Sequence, residues 1–195
     1  MAVTTAIILA GGFGTRLRSV VPDLPKPMAP IGSRPFLEYQ LDYWITQGVN
    51  HFILSVGYRY EVIVDHFGNN YRGAELNYVI EKTPLGTGGG LLLAAEEIGN
   101  DAPFLLLNGD TYFAADLKSL TKVSQENGAD WCFSLFRTNE EGRYMGMDVS
   151  PQGQITSLKS GIGDPGRLAN GGVYWVHPDA VRSSRFASGD KVSLE

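Results

Sequence analysis

The chain has 195 residues, 43% of them hydrophobic, and a formal net charge of -5. That length supports one sizeable core, and the acidic balance argues against a surface that neutralises nucleic-acid phosphates, while leaving room for a local basic site that takes a small phosphorylated ligand. No basic leader precedes a long apolar stretch, no segment approaches the length of a membrane span, and the single cysteine, Cys132, cannot form an internal disulfide, so a soluble cytoplasmic protein without membrane or nucleic-acid partners is expected.

Residues 6–9 form a short apolar run stopped by Gly11-Gly12, the pattern of a buried parallel strand that feeds a functional loop. From Pro35 onward, Phe36, Leu37, Leu41, Trp44 and Ile45 recur at helical spacing, with Pro35 suited to the first helical position and Gly48 to the C-terminal cap. A strand at 52–56, a helix at 62–67 and a strand at 76–80 continue the alternation. Residues 91–98 read as a helix, and 104–107 as a central strand, apolar on every side. Asp116 is placed to cap a helix that carries Leu117, Leu120 and Val123. A strand over 131–136 follows, with Cys132 as a small core residue. Beyond it come short extended pieces at 147–149 and 155–158, joined through Gly153 in a hairpin, and a last strand at 173–176. The alternation predicts one α/β domain over residues 1–195: a Rossmann-like three-layer α/β/α fold with a mostly parallel sheet. Its ligand crevice lies at the carboxyl ends of the strands, beyond Leu9, Ile80 and Leu107.

Three motifs meet at that edge. Leu9-Ala10-Gly11-Gly12-Phe13-Gly14-Thr15-Arg16-Leu17 strips side chains from the backbone and ends in a guanidinium, which suits a triphosphate. The run lacks the Gly-Lys-Ser/Thr of a P-loop, and Leu17 stands where the dinucleotide fingerprint wants a third glycine, which counts against a Rossmann oxidoreductase. Lys26 is held between Pro25 and Pro27, which restrict the local backbone and so the direction of the ammonium; a phosphate oxygen is a natural target. Asn108-Gly109-Asp110 follows the most apolar strand and sets Asp110 where it could hold Mg2+ on phosphate oxygens. Each motif alone also has an ordinary reading: a tight turn, a solvated lysine and a turn-capping aspartate.

Taken together and in this order, the three motifs resemble the signature of the sugar-1-phosphate nucleotidyltransferase family over essentially the whole chain. The resemblance implies an enzyme that joins a nucleoside triphosphate to a sugar 1-phosphate. Leu9, Ala10, Gly11, Gly12, Gly14 and Thr15 would wrap the triphosphate. Arg16 and Lys26 would neutralise its charge, and Asp110 would bind Mg2+, with Asn108 and Gly109 beside it. The sugar phosphate's own anionic oxygen would attack the α-phosphorus, so none of the three histidines need be catalytic. By the same resemblance, Glu81, Gly86 and Thr87 in Glu81-Lys82-Thr83-Pro84-Leu85-Gly86-Thr87-Gly88-Gly89-Gly90 face the nucleobase, and Gly88 to Gly90 open a helix near the ligand. A carboxylate accepts from guanine N1–H and N2–H2, which disfavours adenine, whereas uracil and thymine still offer an N3–H. Gly146, Lys159 and Asn170 carry over as sugar-phosphate contacts.

Four further stretches, at 17–23, 26–30, 34–39 and 42–44, look most like those family members that use GTP and a heptose 1-phosphate to make a GDP-heptose. Uridylyl-, thymidylyl- and mannose-1-phosphate guanylyltransferases, or a non-catalytic nucleotide- or sugar-phosphate-sensing domain, are the alternative readings. Family members usually add a second Mg2+-binding aspartate from a later Asp-x-Gly-Thr-Pro-like segment, which does not occur in these 195 residues. None of Asp148, Asp164, Asp179 or Asp190 has its context. The expectation is therefore a catalytic domain without that segment, which binds nucleotide but turns over poorly.

Overall fold

A computed structural model describes residues 3–12, 14, 23–99, 101–138, 146–159 and 166–194. The elements are β1 (Thr5–Ala10), a 3-10 turn (Lys26–Met28), β2 (Pro30–Ile31), β3 (Arg34–Pro35), α1 (Phe36–Thr46), β4 (His51–Val56), α2 (Tyr60–Phe67), β5 (Asn70–Tyr71), β6 (Ala74–Ile80), α3 (Gly86–Ala95), β7 (Phe104–Asn108), α4 (Leu117–Asn127), β8 (Trp131–Thr138), β9 (Gly146–Val149), β10 (Ile155–Lys159), β11 (Arg167–Val176) and α5 (Pro178–Arg182). The large sheet runs β10-β9-β11-β7-β1-β4-β6-β5, with β8 also paired to β11. At its centre β7, β1, β4 and β6 are parallel, and β11 joins β7 antiparallel. This is the expected Rossmann-like layering, with residues 104–107 central.

Side chains alternate across the central strands and so divide the core in two. Ala6, Ile8 and Ala10 of β1 join Leu37, Leu41 and Trp44 of α1, Ile63 of α2 and Leu120 of α4 on one face. Ile7 faces the other way and packs with Ile53, Leu91 and Ala94 of α3 and Val181 of α5. Cys132 packs against the first cluster, and burial pushes its thiol up, as expected of an unreactive core residue. Among the described residues no helix is long and apolar enough to cross a membrane.

Several boundaries differ from the sequence expectation for local reasons. Pro35 is the N-cap of α1 rather than its first residue, because it still pairs with Pro30 in the β2–β3 hairpin. Gly48 stands one residue past the C-cap Gln47, with the positive φ of 97° that such a position favours. Asp116 does cap α4, its carboxylate accepting from the Ser119 N–H at 2.7 Å, but the buried stripe is Leu117, Leu120 and Ser124. Val123 lies to the side of that stripe and is 48% exposed.

The largest difference is α3, which begins at Gly86 and ends at Ala95. Its glycine-rich start defeats a periodicity argument, yet packing requires it. Residues 190–194 lie across this end of the helix: the Gly88 and Gly89 N–H groups donate to the Val192 carbonyl at 2.9 and 3.1 Å, and Val192 N–H donates to Leu85 O at 2.9 Å. A Cβ on Gly89 would stand 2.3 Å from the Asp190 carbonyl oxygen, and one on Gly86 2.6 Å from that of Val192.

A charged cluster ties β3, α1, α2 and β5 together. Arg34 donates to Glu38 and Asp42 at 2.5 Å each and to the Tyr71 hydroxyl at 3.3 Å, and His66 Nε2 meets Glu38 at 2.8 Å. Burial pushes the Glu38 carboxyl up, but the hydrogen bonds and charges of Arg34 and His66 outweigh it and hold the group below its ordinary 4.5. Because the folded value is depressed, this contribution is present above the ordinary value and disappears as pH falls through the folded one.

Two predictions follow from this packing. Gly89→Ala is expected to lower stability by about 1–3 kcal/mol, since the Asp190 main chain on one side and the Leu85 Cβ on the other must yield, whereas Gly99→Ala, with nothing within 4 Å of the added carbon, leaves the thermal midpoint nearly unchanged. Glu38→Gln is expected to lower the midpoint at neutral pH and to flatten its decline as the solution is acidified below the ordinary carboxyl value of 4.5, because the proton uptake that drives part of that decline is removed.

Candidate active site

The parallel strands end in line at Ala10, Val56, Ile80 and Asn108, and the loops that leave them are knitted by main-chain contacts. The Gly109 N–H donates to the Leu9 carbonyl at 2.9 Å, and Glu81 N–H to that of Val56 at 2.7 Å. Gly109 must lack a side chain: its Cβ would stand 2.5 Å from the Leu9 oxygen. Likewise a Cβ on Gly57 would lie 2.8 Å from the Gly11 oxygen. The glycine loop, the loop after β4 and the aspartate loop are thereby held in contact.

Lys26 and Asp110, 84 residues apart in sequence, meet here, with Lys26 Nζ 2.5 Å from Asp110 Oδ2. Both side chains are about two-fifths or more exposed, so the pair adds little stability. Its importance is positional, since it brings a cation and a carboxylate to one point. Gly14, with φ of 57°, packs on Lys26, where its Cβ would come 3.1 Å from the lysine Cβ. Asp110 is steadied by its neighbours: Thr111 Oγ1 donates to Oδ1 at 3.2 Å, and Gln40 Nε2 of α1 donates to the carbonyls of Asn108 and Thr111 at 2.9 and 3.1 Å.

Glu81 is half-buried at the end of β6. Ser55 Oγ donates to its Oε1 at 2.8 Å and the Leu85 N–H to its Oε2 at 3.3 Å. The carboxylate lies against Gly11, where a Cβ would overlap Oε1 at 2.1 Å. Beside it opens a cavity of about 570 Å³ lined by Gly11, Gly57, Tyr58, Arg59, Tyr60 and residues 80–84, among others. Arg59 caps α2 with φ of 51°, a left-handed conformation that side chains disfavour, and its guanidinium holds the Asp23 carbonyl and lies 3.3 Å from the Asp23 carboxylate. One wall of the cavity is thus fastened to the segment that leads into Lys26.

The antiparallel strands form the opposite wall. Val173 of β11 pairs with Leu107, so the residues before Val173 run past the carboxyl end of β7. Gly146 of β9 pairs with Lys159 of β10 on one side and Ala169 of β11 on the other, which sets the backbones of Gly146, Lys159 and Ala169 in one row, with Asn170 the next residue along β11. A bulge between Asn170 and Tyr174 turns this row toward the aspartate loop: Gly172, with φ of 70°, would place a Cβ 2.9 Å from Asn108 Nδ2. The Asn170 amide donates to Tyr174 Oη at 2.6 Å and accepts from the Gly172 N–H at 2.9 Å, retaining one donor and one acceptor.

Most of the residues singled out from sequence therefore converge. Leu9, Ala10, Gly11, Gly12, Gly14, Lys26, Glu81, Asn108, Gly109 and Asp110 share the carboxyl edge. Thr15 and Arg16 lie outside the described residues, as does the Lys159 side chain. Thr87 faces elsewhere: its hydroxyl accepts from the Leu194 N–H at 2.9 Å, and Gly86 packs on Val192. Gly88 and Gly89 do open α3, but the tail covers them; only Gly90 of the three faces Glu81. Sequence reasoning missed Gln40, Ser55 and Arg59. The first two did leave a trace, a lone polar residue on a buried helical stripe and another inside an apolar strand.

Among the described residues no three His, Cys, Asp or Glu side chains converge as a metal cage. One exposed carboxylate, Asp110, beside a glycine loop instead fits an ion such as Mg2+, which keeps much of its water and takes few protein ligands. Sugar nucleotidyltransferases in general use a divalent metal.

Comparison with known proteins agrees with this geometry. The Nucleotidyl transferase family matches residues 5–184. D-glycero-alpha-D-manno-heptose 1-phosphate guanylyltransferase of Campylobacter jejuni is 40% identical over 190 residues, covering 97% of this chain and 82% of that protein. Its counterpart from Aneurinibacillus thermoaerophilus is 43% identical over 170 residues, covering 87% and 73%. Among solved structures, HddC from Yersinia pseudotuberculosis complexed with GMP-PN superposes with a TM-score of 0.85 at 33% identity, covering 98% of this chain and 83% of that one. The subgroup favoured by the four further stretches is thus represented among the relatives. The chain belongs to the nucleotidyl transferase family.

Proposed function

We propose that this chain, acting as one cytoplasmic catalytic domain, transfers GMP from GTP to D-glycero-α-D-manno-heptose 1-phosphate, releasing pyrophosphate and the GDP-activated heptose. The observation that carries the reading is the meeting of Lys26 and Asp110 at the same strand edge where Glu81 lines a cavity. Support for the substrates comes from the two heptose 1-phosphate guanylyltransferases and from the GMP-PN complex of HddC.

Chemistry is direct displacement. A phosphate oxygen of the sugar phosphate forms a bond to the α-phosphorus of GTP while the α–β bridging P–O bond breaks and its electron pair leaves with pyrophosphate. The nucleophile is already ionised at neutral pH, so no protein base is needed. The histidines are consistent with this: His51 and His177 lie at the opposite edge of the sheet, and His66 is engaged by Glu38. What the protein supplies is alignment and charge stabilisation. Gly11, Gly12 and Gly14 present main chain to the triphosphate, and Lys26 and Arg16 neutralise phosphate charge as it builds on the leaving group. Glu81 faces the guanine edge. Gly146, Lys159 and Asn170 orient the heptose 1-phosphate on the far wall. Asp110 would hold Mg2+, whose role when bound is to offset charge on the phosphate oxygens.

Thermal stabilisation of the 195-residue chain by GTP, dTTP, UTP, CTP, ATP and NAD with Mg2+ tests this reading. GTP is expected to give the largest shift, roughly 2.7 kcal/mol at 100 times its dissociation constant, and Lys26→Ala and Arg16→Ala are expected to abolish most of it. A larger shift with UTP or NAD, or none with any triphosphate, would sink the proposal. Asp110→Asn is expected to retain metal-free GTP binding while losing the added affinity that Mg2+ confers, measured by titration calorimetry with and without the ion.

A further inference from the structure

We infer that Ser55 is a positioning residue for base selection, acting through Glu81; this rests on the proposed reading that Glu81 faces the nucleobase. Ser55 is fully buried in β4, flanked in sequence by Leu54 and Val56, which are also fully buried. A hydroxyl at such a place needs a partner, and the partner is Glu81 Oε1 at 2.8 Å. The surrounding backbone makes room for this pair. A Cβ on Gly90 would stand 3.0 Å from Glu81 Oε1 and 3.1 Å from Ser55 Oγ, and one on Gly11 would overlap Oε1. Two glycines from different elements thus leave the space that the hydroxyl and carboxylate fill.

The consequence for recognition follows from lone-pair arithmetic. Ser55 takes one acceptor position on Oε1, and the Leu85 N–H takes one on Oε2. One position remains on each oxygen, the number required by guanine N1–H and N2–H2 together. A carboxylate free to turn about its Cγ–Cδ bond can still meet one donor, but it meets two at fixed spacing only when its plane is held. Ser55, anchored in the rigid sheet, holds that plane, whereas Leu85 belongs to the loop. Ser55 therefore contributes to the second hydrogen bond, the one that distinguishes guanine from hypoxanthine, without touching the nucleotide.

The test compares GTP with ITP, which lacks the exocyclic amine, by titration calorimetry on the full chain. Wild type is expected to prefer GTP, and Glu81→Gln to lose the preference. Ser55→Ala and the nearly isosteric Ser55→Cys are expected to shrink the GTP/ITP ratio about tenfold, the scale of one hydrogen bond to a charged group, mainly by weakening GTP. Ser55→Thr, which keeps the hydroxyl, restores the ratio. If the Ser55→Ala and Ser55→Cys variants weaken both nucleotides in proportion, or merely lower the thermal midpoint with the ratio intact, Ser55 is structural and the inference is overturned. If wild type shows no preference, or Glu81→Gln retains it, the base-reading role of Glu81 falls and the inference falls with it.

Discussion

The site depends on one close approach of main chain, the hydrogen bond from the Gly109 N–H to the Leu9 carbonyl at the carboxyl edge of β1 and β7. Parallel pairing brings the ends of these strands together, but only a residue without Cβ lets the loops beyond them touch. Once they touch, the glycine loop and the aspartate loop cannot move apart, and Lys26, packed on Gly14, reaches Asp110. Gln40 secures the same loop from the helical layer below it. A weak ion pair is thus set by strong constraints elsewhere, which is how a charged group can be positioned without its own attraction providing the rigidity.

The sheet also gives its carboxyl edge two different halves. Its parallel strands all end at the same level and present a row of loops, which suits a triphosphate that lies along backbone N–H groups. The antiparallel strands are under no such restriction. Because β11 runs against β7, it continues past the edge and carries β8 and β9 with it. The sheet therefore has a level row of loops on its parallel side and an upstanding wall on its antiparallel side.

Much of this was legible in the sequence because its signals were local. Buried parallel strands showed as apolar runs, and the glycine, lysine and aspartate motifs stood at their ends. What was not legible was set by contacts distant in sequence. Gly88 and Gly89 look like ligand-facing glycines until residues 190–194 are seen lying on them, and apolar periodicity alone starts α3 only at residue 91. Val123 followed the apolar pattern but not the stripe, where Ser124 is buried instead. Gln40 and Ser55 could have been singled out as polar residues in apolar settings; their partners, 68 and 26 residues away, could not.

Arg59 has a consequence of a mechanical kind. Its backbone sits in a conformation that glycine would adopt at less cost, yet its side chain reaches across to Asp23. The wall of the cavity and the approach to Lys26 are thereby in contact. Asp23 stands three residues before Lys26, so a change in the turn at Arg59 is felt, through this contact, at the start of the segment that carries the lysine.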